Sequence, residues 1–389
     1  MFQWGVSTLY GWGIIGLNLL RHWPAVAGAP AYSGGRFDLA SLNGMNPLIL
    51  RALMPTLIDN SNLRNRWPAR EARTGRFDGI VLHSLGNRFS GATWPSGGGL
   101  TGHVTGAAVF FEDTILNDAA EVAEEYAVIV AGSSWNAEML RAAGIENVAV
   151  VIQGIDPSIF HPAPQSEGLA GRFAVFSGGK LEYRKGQDLV LLAFRAFAAR
   201  HREAVLVTAW HSPWPSVAAT LNRNSALAPI GPNSEGKIDS AAWAAANGLA
   251  EHQFIDVGPV PNHLMAPVLR ECDVSLFPNR CEGGTNLVAM ECMASGVPTI
   301  VSDNTGHKDL LATGAAYALN RQRPVTIPDL GTEGWGESDV DEIVEALEGV
   351  WSDHDKARQR GGAGVAAMAG WAWSDYARRL HEVVAPLCR

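Results

Sequence analysis

Lysine is what this 389-residue chain most conspicuously lacks. Of its 30 basic residues only five are lysines, at positions 180, 185, 237, 308 and 356, and none lies in the first 179 positions. Where a lysine does appear, a local reason for it is worth seeking, and two of the five stand together beside a glycine pair. Cysteine is scarce too. Cys272, Cys281, Cys292 and Cys388 form no CxxC pair and no finger spacing. No metal site is expected, and the four read as small buried apolar side chains in a reducing compartment. No apolar run approaches the roughly 20 residues that a membrane span needs. The first basic residue is Arg21, so residues 1–23 do not read as a secretory signal and a cytoplasmic location is expected. Positive charge is short overall: the net charge of −9 excludes a generally basic nucleic-acid binder, though not a local basic patch.

What is present is apolar and glycine-rich. Hydrophobic residues make up 47% of the chain and charged residues 18%, enough for a large core, and the 42 glycines follow no collagen period. At roughly 150 residues per domain, the length implies two to three domains. The predicted rhythm is strand, loop, helix. FQWGVSTL reads as a first strand, Gly11-Trp12-Gly13 as a glycine loop and IIGLNLLRHW as a helix. Strands follow at 79–83, 107–111, 127–132 and 148–154, with helices at 117–126 and 137–143. The proline-rich stretch 156–172 reads as an interdomain linker. A second series then begins with RFAVFSGG as a strand and QDLVLLAFRAFAARH as an amphipathic helix. AVLVTAW, QFIDVG, DVSLFP and PTIVSD read as further strands, and WAWSDYARRLHEVVAPL as a closing helix. Short apolar runs alternating with helices indicate parallel sheets covered on both faces. Two doubly wound α/β domains with a cleft between them follow, with ligands expected at the carboxyl ends of the strands.

Three segments carry chemistry. In FSGGKLEYRKGQDL a strand ends at Gly178-Gly179, and Lys180, Arg184 and Lys185 follow before a helix starts near Gln187. Glycines admit an anion close to the backbone and the cations hold it, which suits a diphosphate; an ordinary solvated basic loop has the same spacing. In NRCEGGTNLVAMECMASGVPTIVSD a strand leads through Gly283-Gly284-Thr285-Asn286 into a helix at 287–295. Thr285 or Asn286 serves as its N-cap and Gly296 as its stop. The free N–H groups at that helix start favour phosphate. Glu282 and Glu291 flank them, either as carboxylates that accept hydrogen bonds from sugar diols or as plain loop and helix-surface charges. The third segment, Gly11 to Gly16, matches GxGxxG. The residues before Asp38, the acid about 20 positions on, do not form a buried strand, which argues against a dinucleotide site. A glycine loop facing the cleft is the preferred reading.

Taken together and in order, these segments resemble retaining glycosyltransferases of the GT-B fold, specifically glycosyltransferase family 4. The resemblance is strongest over 127–312 and looser over 1–126. VIQGIDPSIFHP (151–162) is similar to the family's interdomain segment, and SGGKLEYRKGQDL to its phosphate loop, with Lys180 in the usual arginine place and Lys185 in the lysine place. LFPNRCEGGTNLVAMECMASGVPTIVSDNTGHKDLL is similar to its donor signature, TLYGWGIIGLNLL to its N-terminal glycine loop and WAWSDYARRL to the helix that crosses back to the first domain. The resemblance implies an acceptor-binding domain over 1–160, a donor-binding domain over 161–368 and a crossing helix over 369–389. It also implies transfer of a sugar from a nucleoside diphosphate to a hydroxyl of a glycan or lipid-linked acceptor, with retention at the anomeric carbon and no resident cofactor. Lys180 and Lys185 would then stabilise the departing diphosphate, Glu291 hold the nucleotide ribose and Glu282 the donor sugar. Gly179 and the backbone of Gly283, Gly284, Thr285, Asn286 and Leu287 would line the phosphates, while Gly11 and Gly13 would let the first domain close over them.

The chain departs from the family twice. Eight residues separate Glu282 from Glu291 where the family has seven, so the loop must bulge or Glu282 be displaced. The second histidine of the family's His-x-His step is also missing from His83-Ser84-Leu85. His83 itself, or His103 from the glycine-rich loop, is left to substitute, unless His83 is simply a satisfied histidine at a strand end. Alternatives in other classes are a catalytically weak nucleotide-sugar sensor or partner subunit, a nucleotide-sugar epimerase, and a phosphorylase, for which no lysine is left to bind pyridoxal. Arginines at 51, 64, 66, 70, 73 and 76 form either a solvated helical face or a patch for an anionic carrier. In the second case Arg64, Arg66, Arg70 and Arg73 would touch the inner face of a membrane. Trp94, beside the 95–103 loop, offers a sugar-stacking face unless it is simply packed.

Overall fold

The computed structural model of the chain describes residues 1–66, 75–90 and 100–388, the side chains of 63–66 excepted. The proposed membrane-facing arginines 64, 66, 70 and 73 therefore lie outside what is described, as do Trp94 and residues 95–99. Among the described residues no helix is long and apolar enough to cross a membrane.

The first half contains α1 (Gly11–Ala27), α2 (Pro47–Arg66), β1 (Ile80–Leu85), β2 (Val104–Val109), α3 (Ala119–Ala123), β3 (Val128–Ala131), α4 (Ser134–Ala142) and β4 (Val148–Val150). Its strands form a parallel sheet in the order β1-β2-β3-β4. The second half opens with β5 (Phe173–Lys180), α5 (Gln187–Ala198), β6 (Ala204–His211), α6 (Pro215–Ala218) and α7 (Ser240–Ala246). It continues with β7 (Phe254–Asp256), α8 (Ala266–Arg270), β8 (Val274–Phe277), α9 (Leu287–Ala294), β9 (Thr299–Ser302), α10 (His307–Leu311) and β10 (Tyr317–Leu319). These strands build a parallel sheet in the order β10-β9-β8-β5-β6-β7. The order reverses direction beside β5, the switch point where a doubly wound sheet opens a crevice for ligands.

Both faces of each sheet are covered, as near-continuous apolar strands require. Along β5, Phe173 and Val175 join one cluster with Phe194 and Leu206, while Ala174 and Phe176 face a second with Met290 and Leu269. A small antiparallel pair, β11 (Gln322–Pro324) and β12 (Gly336–Ser338), follows β10. The loop between them reaches the first half: Thr114 N–H donates to Gly331 O at 3.1 Å, and Trp335 Nε1 donates to Glu112 O at 2.9 Å. After α11 (Val340–Ser352) and α12 (His354–Met368), the last helix, α13 (Trp373–Val384), crosses back. Ile155 and the 371–373 segment exchange backbone hydrogen bonds, and Trp373, Tyr376, Leu380 and Val384 enter the core of the first half with Phe2, Trp4 and Ile15.

The N-terminal segment corrects the sequence reading. FQWGVSTL makes no continuous strand. Single parallel bridges tie Phe2 to Leu82 and to Ser33, and Val6 to Phe37. The alternation in the sequence is real, since Phe2, Trp4 and Val6 are all buried. It reports burial, and regular pairing does not follow from it. Nor is 11–13 a loop: α1 begins at Gly11, after extended Tyr10. Asp38 binds no ribose here, because its carboxylate takes Ser7 Oγ and the Ser41 N–H. Of the four cysteines, three are buried as expected, but Cys388 is exposed.

Candidate active site

The loop from β8 to α9 is fixed at several points. Glu282 N–H donates to Thr305 Oγ1 at 2.8 Å, Gly306 N–H donates to Glu282 O at 2.9 Å, and Ser133 Oγ of the first half donates to Gly283 O at 2.7 Å. Gly283 is required where it stands, since a Cβ there would lie 2.5 Å from Phe111 O. Asn286 caps α9: its side chain accepts from Ala289 N–H, and its backbone takes a left-handed φ of 65°. That conformation lets the 283–286 turn carry its extra residue while Glu282 stays against Lys185. His307 bridges Asn286 and Ser302, and burial holds its imidazole down at about 4, so it is neutral.

The backbone N–H groups of Gly284, Thr285, Asn286 and Leu287 find no acceptor among the described residues. The first three belong to buried residues. Unmet buried donors at a helix start are costly unless an anion takes them. The start of α1 comes up against the same place. A Cβ on Gly11 would lie 4.0 Å from Leu287 Cδ1, and Leu287 packs with Trp12 and Phe110 of the first half. Gly13 has a different reason from the one expected: it admits Ser7, whose Cβ and N would lie 2.7 Å from an added Cβ.

Cations and carboxylates alternate beside these donors. Lys180 ends β5 and pairs with Glu182 at 3.0 Å, its ammonium 5.6 Å from the centre of the Trp214 ring. Lys185 binds Glu282, which also accepts from Asn279 Nδ2 at 2.8 Å. Arg184 reaches Glu112 at 3.0 Å, Glu182 at 3.0 Å and Glu282 at 3.7 Å. Burial alone would raise the Glu282 carboxyl, but Lys185 and Arg184 outweigh it and hold it down at about 2. Burial lowers the Lys185 ammonium against the pull of Glu282. It raises the Glu112 carboxyl against the pull of Arg184.

Glu291, in the second turn of α9, is only 4% exposed. Its partner is Asn262, whose Nδ2 donates to Oε1 at 2.5 Å. Asn262 N–H in turn donates to Thr8 O of the first half at 2.8 Å. Burial lifts the Glu291 carboxyl to about 8, the Asn262 bond opposing. Glu291 is therefore neither a helix-surface charge nor part of the cation cluster.

The structure thus brings Lys180, Lys185, Glu282, the 283–287 turn and Gly11 to one crevice, with Glu291 on the adjoining turn of α9 and Gly179 one residue before Lys180. It does not bring the histidines there. His83 lies within β1, and both its ring nitrogens are engaged, with Tyr126 Oη at 3.0 Å and Leu100 O at 2.9 Å. His103 precedes β2, at the amino end of the sheet and away from the crevice, and pairs with Asp78 at 2.6 Å. Residues the sequence reading missed include Glu112, Asn262 and a buried pair behind the phosphate loop. Arg280, fully buried, binds Asp188 through two hydrogen bonds of 2.8 and 2.6 Å. It also donates to Tyr183 O at 2.7 Å, and so ties the loop that carries Lys185 to the loop that carries Glu282. No local signal marked these residues, because each acts on a partner far away in the chain.

Two Rossmann-like domains around a crevice, with a terminal helix returning to the first, define a GT-B architecture. Solved structures share it along the whole chain. A glycosyltransferase from Rickettsia africae superposes with a TM-score of 0.63 at 13% identity, covering 100% of this chain and 98% of that one. Anabaena Alr3699/HepE in complex with UDP and glucose gives 0.62 at 12% identity, covering 99% of both. At such identities the likeness is one of fold. Residues 122–380 match the family described as Family 4 Glycosyltransferase in conflict systems, and the chain belongs to that family. It is also 26% identical over 257 residues to the phosphatidyl-myo-inositol mannosyltransferase of Mycobacterium tuberculosis, 64% of this chain and 57% of that protein. Against the GDP-mannose-dependent alpha-(1-6)-phosphatidylinositol monomannoside mannosyltransferase of Mycolicibacterium smegmatis the identity is 26% over 245 residues, 59% and 54%. The chain spans little more than half the length of these curated relatives.

Proposed function

We propose that the chain transfers a sugar from a nucleoside-diphosphate sugar to an acceptor hydroxyl, with retention at the anomeric carbon. The observation that carries this reading is the convergence of two helix starts, Gly11 of α1 and Leu287 of α9, beside Lys185. Unmet N–H groups and a buried ammonium there suit a diphosphate. In this reading residues 161–368 hold the donor, residues 1–160 present a glycan or lipid-linked acceptor, and 369–389 brace the two. The bond between the anomeric carbon and the phosphate oxygen breaks while the acceptor oxygen bonds to the same face. The acceptor's proton passes to the departing phosphate. Negative charge grows on the diphosphate, so Lys180, Lys185 and the α9 N–H groups bind the transition state more tightly than the ground state. Lys185 must then leave Glu282 for the phosphate, which frees Glu282 for the sugar's hydroxyls. Glu291, with Asn262 beside it, takes the ribose diol.

The test is incubation with UDP-glucose and GDP-mannose, each with and without added acceptors, following release of the nucleoside diphosphate. Slow release without acceptor and faster release with one is the expected result. Binding of these donors without any turnover would instead favour a nucleotide-sugar sensor.

A further inference from the structure

Glu112 belongs to the first half yet meets the second half's phosphate loop. It follows β2 at the carboxyl end of the first sheet, the end at which parallel sheets bind ligands. Its backbone is clamped on both sides: its N–H donates to Asn87 Oδ1 at 2.7 Å, and its carbonyl accepts from Trp335 Nε1 at 2.9 Å. Its Oε1 pairs with Arg184 at 3.0 Å, the one ion pair among the described residues that joins the two halves. Arg184 also reaches Glu282, so the two carboxylates face the crevice from opposite halves, one guanidinium apart. Glu112 Oε2 takes no partner among the described residues.

The charges decide what this carboxylate can serve. Glu112, Glu182 and Glu282 already match Lys180, Arg184 and Lys185 one for one. A third carboxylate works against a diphosphate, and the ribose is provided for at Glu291. What a fixed carboxylate with a free oxygen recognises is a neutral group rich in hydroxyls. We propose that Glu112 is the first half's contact to the transferred sugar, accepting hydrogen bonds from its hydroxyls across from Glu282 and thereby selecting the sugar. This assignment rests on the donor-site reading above.

Calorimetric titration of UDP against UDP-glucose, and of GDP against GDP-mannose, tests it on the wild-type chain and on Glu112→Ala and Glu112→Gln. For at least one pair the wild type should bind the nucleotide sugar about tenfold more tightly than the bare diphosphate, the size of a hydrogen bond to a charged group. Glu112→Ala should close that gap and leave the bare-diphosphate affinity within about twofold. Glu112→Gln preserves the shape and the melting temperature and should close the gap in part. A gap absent from the wild type, or unchanged in both variants, overturns the assignment. So does a parallel shift of both affinities, which is what a mere latch between the halves would give. Failure of the wild type to bind any of the four compounds overturns the donor-site reading, and this assignment with it.

Discussion

Glu282 and Glu291 stand at the two ends of one short segment, and the fold treats them oppositely. Around Glu282 the 182–185 and 279–282 loops crowd Lys185, Arg184 and Asn279, and the carboxyl is held at about 2. Around Glu291 the helix is packed among apolar side chains with Asn262 as the single hydrogen-bond partner, and burial lifts the carboxyl to about 8. Both are buried, so burial does not separate them; the neighbouring cations do. One end is an ionised site built for charge that changes during reaction. The other is a dry site suited to neutral hydroxyls.

The crowded end is the more costly to break. Asp188→Ala leaves Arg280 buried with Glu337 as its remaining carboxylate partner. It should lower stability by about 3–5 kcal/mol, the usual cost of stranding a buried charge. Denaturant unfolding reads this directly, and a loss below about 1 kcal/mol would mean that the pair is not what anchors the phosphate loop. Next in size, Lys185→Ala should reduce turnover by about 10²–10³-fold, as expected for one preorganised electrostatic contact. Unchanged turnover at saturating donor would remove Lys185 from the transition state.

The dry end yields a pH signature. The unfolded chain ionises Glu291 near the ordinary value of 4.5, whereas the folded chain keeps it protonated up to about 8. The stability linked to this group is therefore full below about 4.5 and falls as pH rises towards 8, by at most about 1.4 kcal/mol per unit. Glu291→Gln should remove that part of the slope, seen as stability curves for the two proteins that diverge between pH 5 and 8; parallel curves would contradict it. The smallest effect is expected from Asn262→Ala. It deletes the one bond that opposes burial at Glu291, so the midpoint of the same pH dependence should move further up.

Much of the second half was legible in the sequence. The strand-to-helix step at β5 and α5, the Asn286 cap and the left-handed Gly296 after α9 are all local features, written in neighbouring residues. So were Lys180, Lys185 and Glu291, because a lysine-poor chain draws attention to the few lysines it has. The first half was less legible. The segment 1–8 shows strand alternation without a strand, since its partners, 32–38 and β1, pair with it at isolated points. Glu112 and Arg280 gave no signal, because Arg184 lies 72 positions from the one and Asp188 lies 92 from the other. His83 drew attention as a histidine near the end of a strand, and only the fold shows Tyr126 and Leu100 occupying its ring.

The central claim is that one diphosphate sits between Lys185, the start of α9 and the start of α1. A crystal structure of the chain soaked with UDP or GDP measures this most directly. The account predicts phosphate oxygens within hydrogen-bond reach of Lys185 Nζ and of the N–H groups of the 284–287 turn, with Lys185 released from Glu282. A nucleotide bound elsewhere, with Lys185 still on Glu282 and the turn empty, would contradict it.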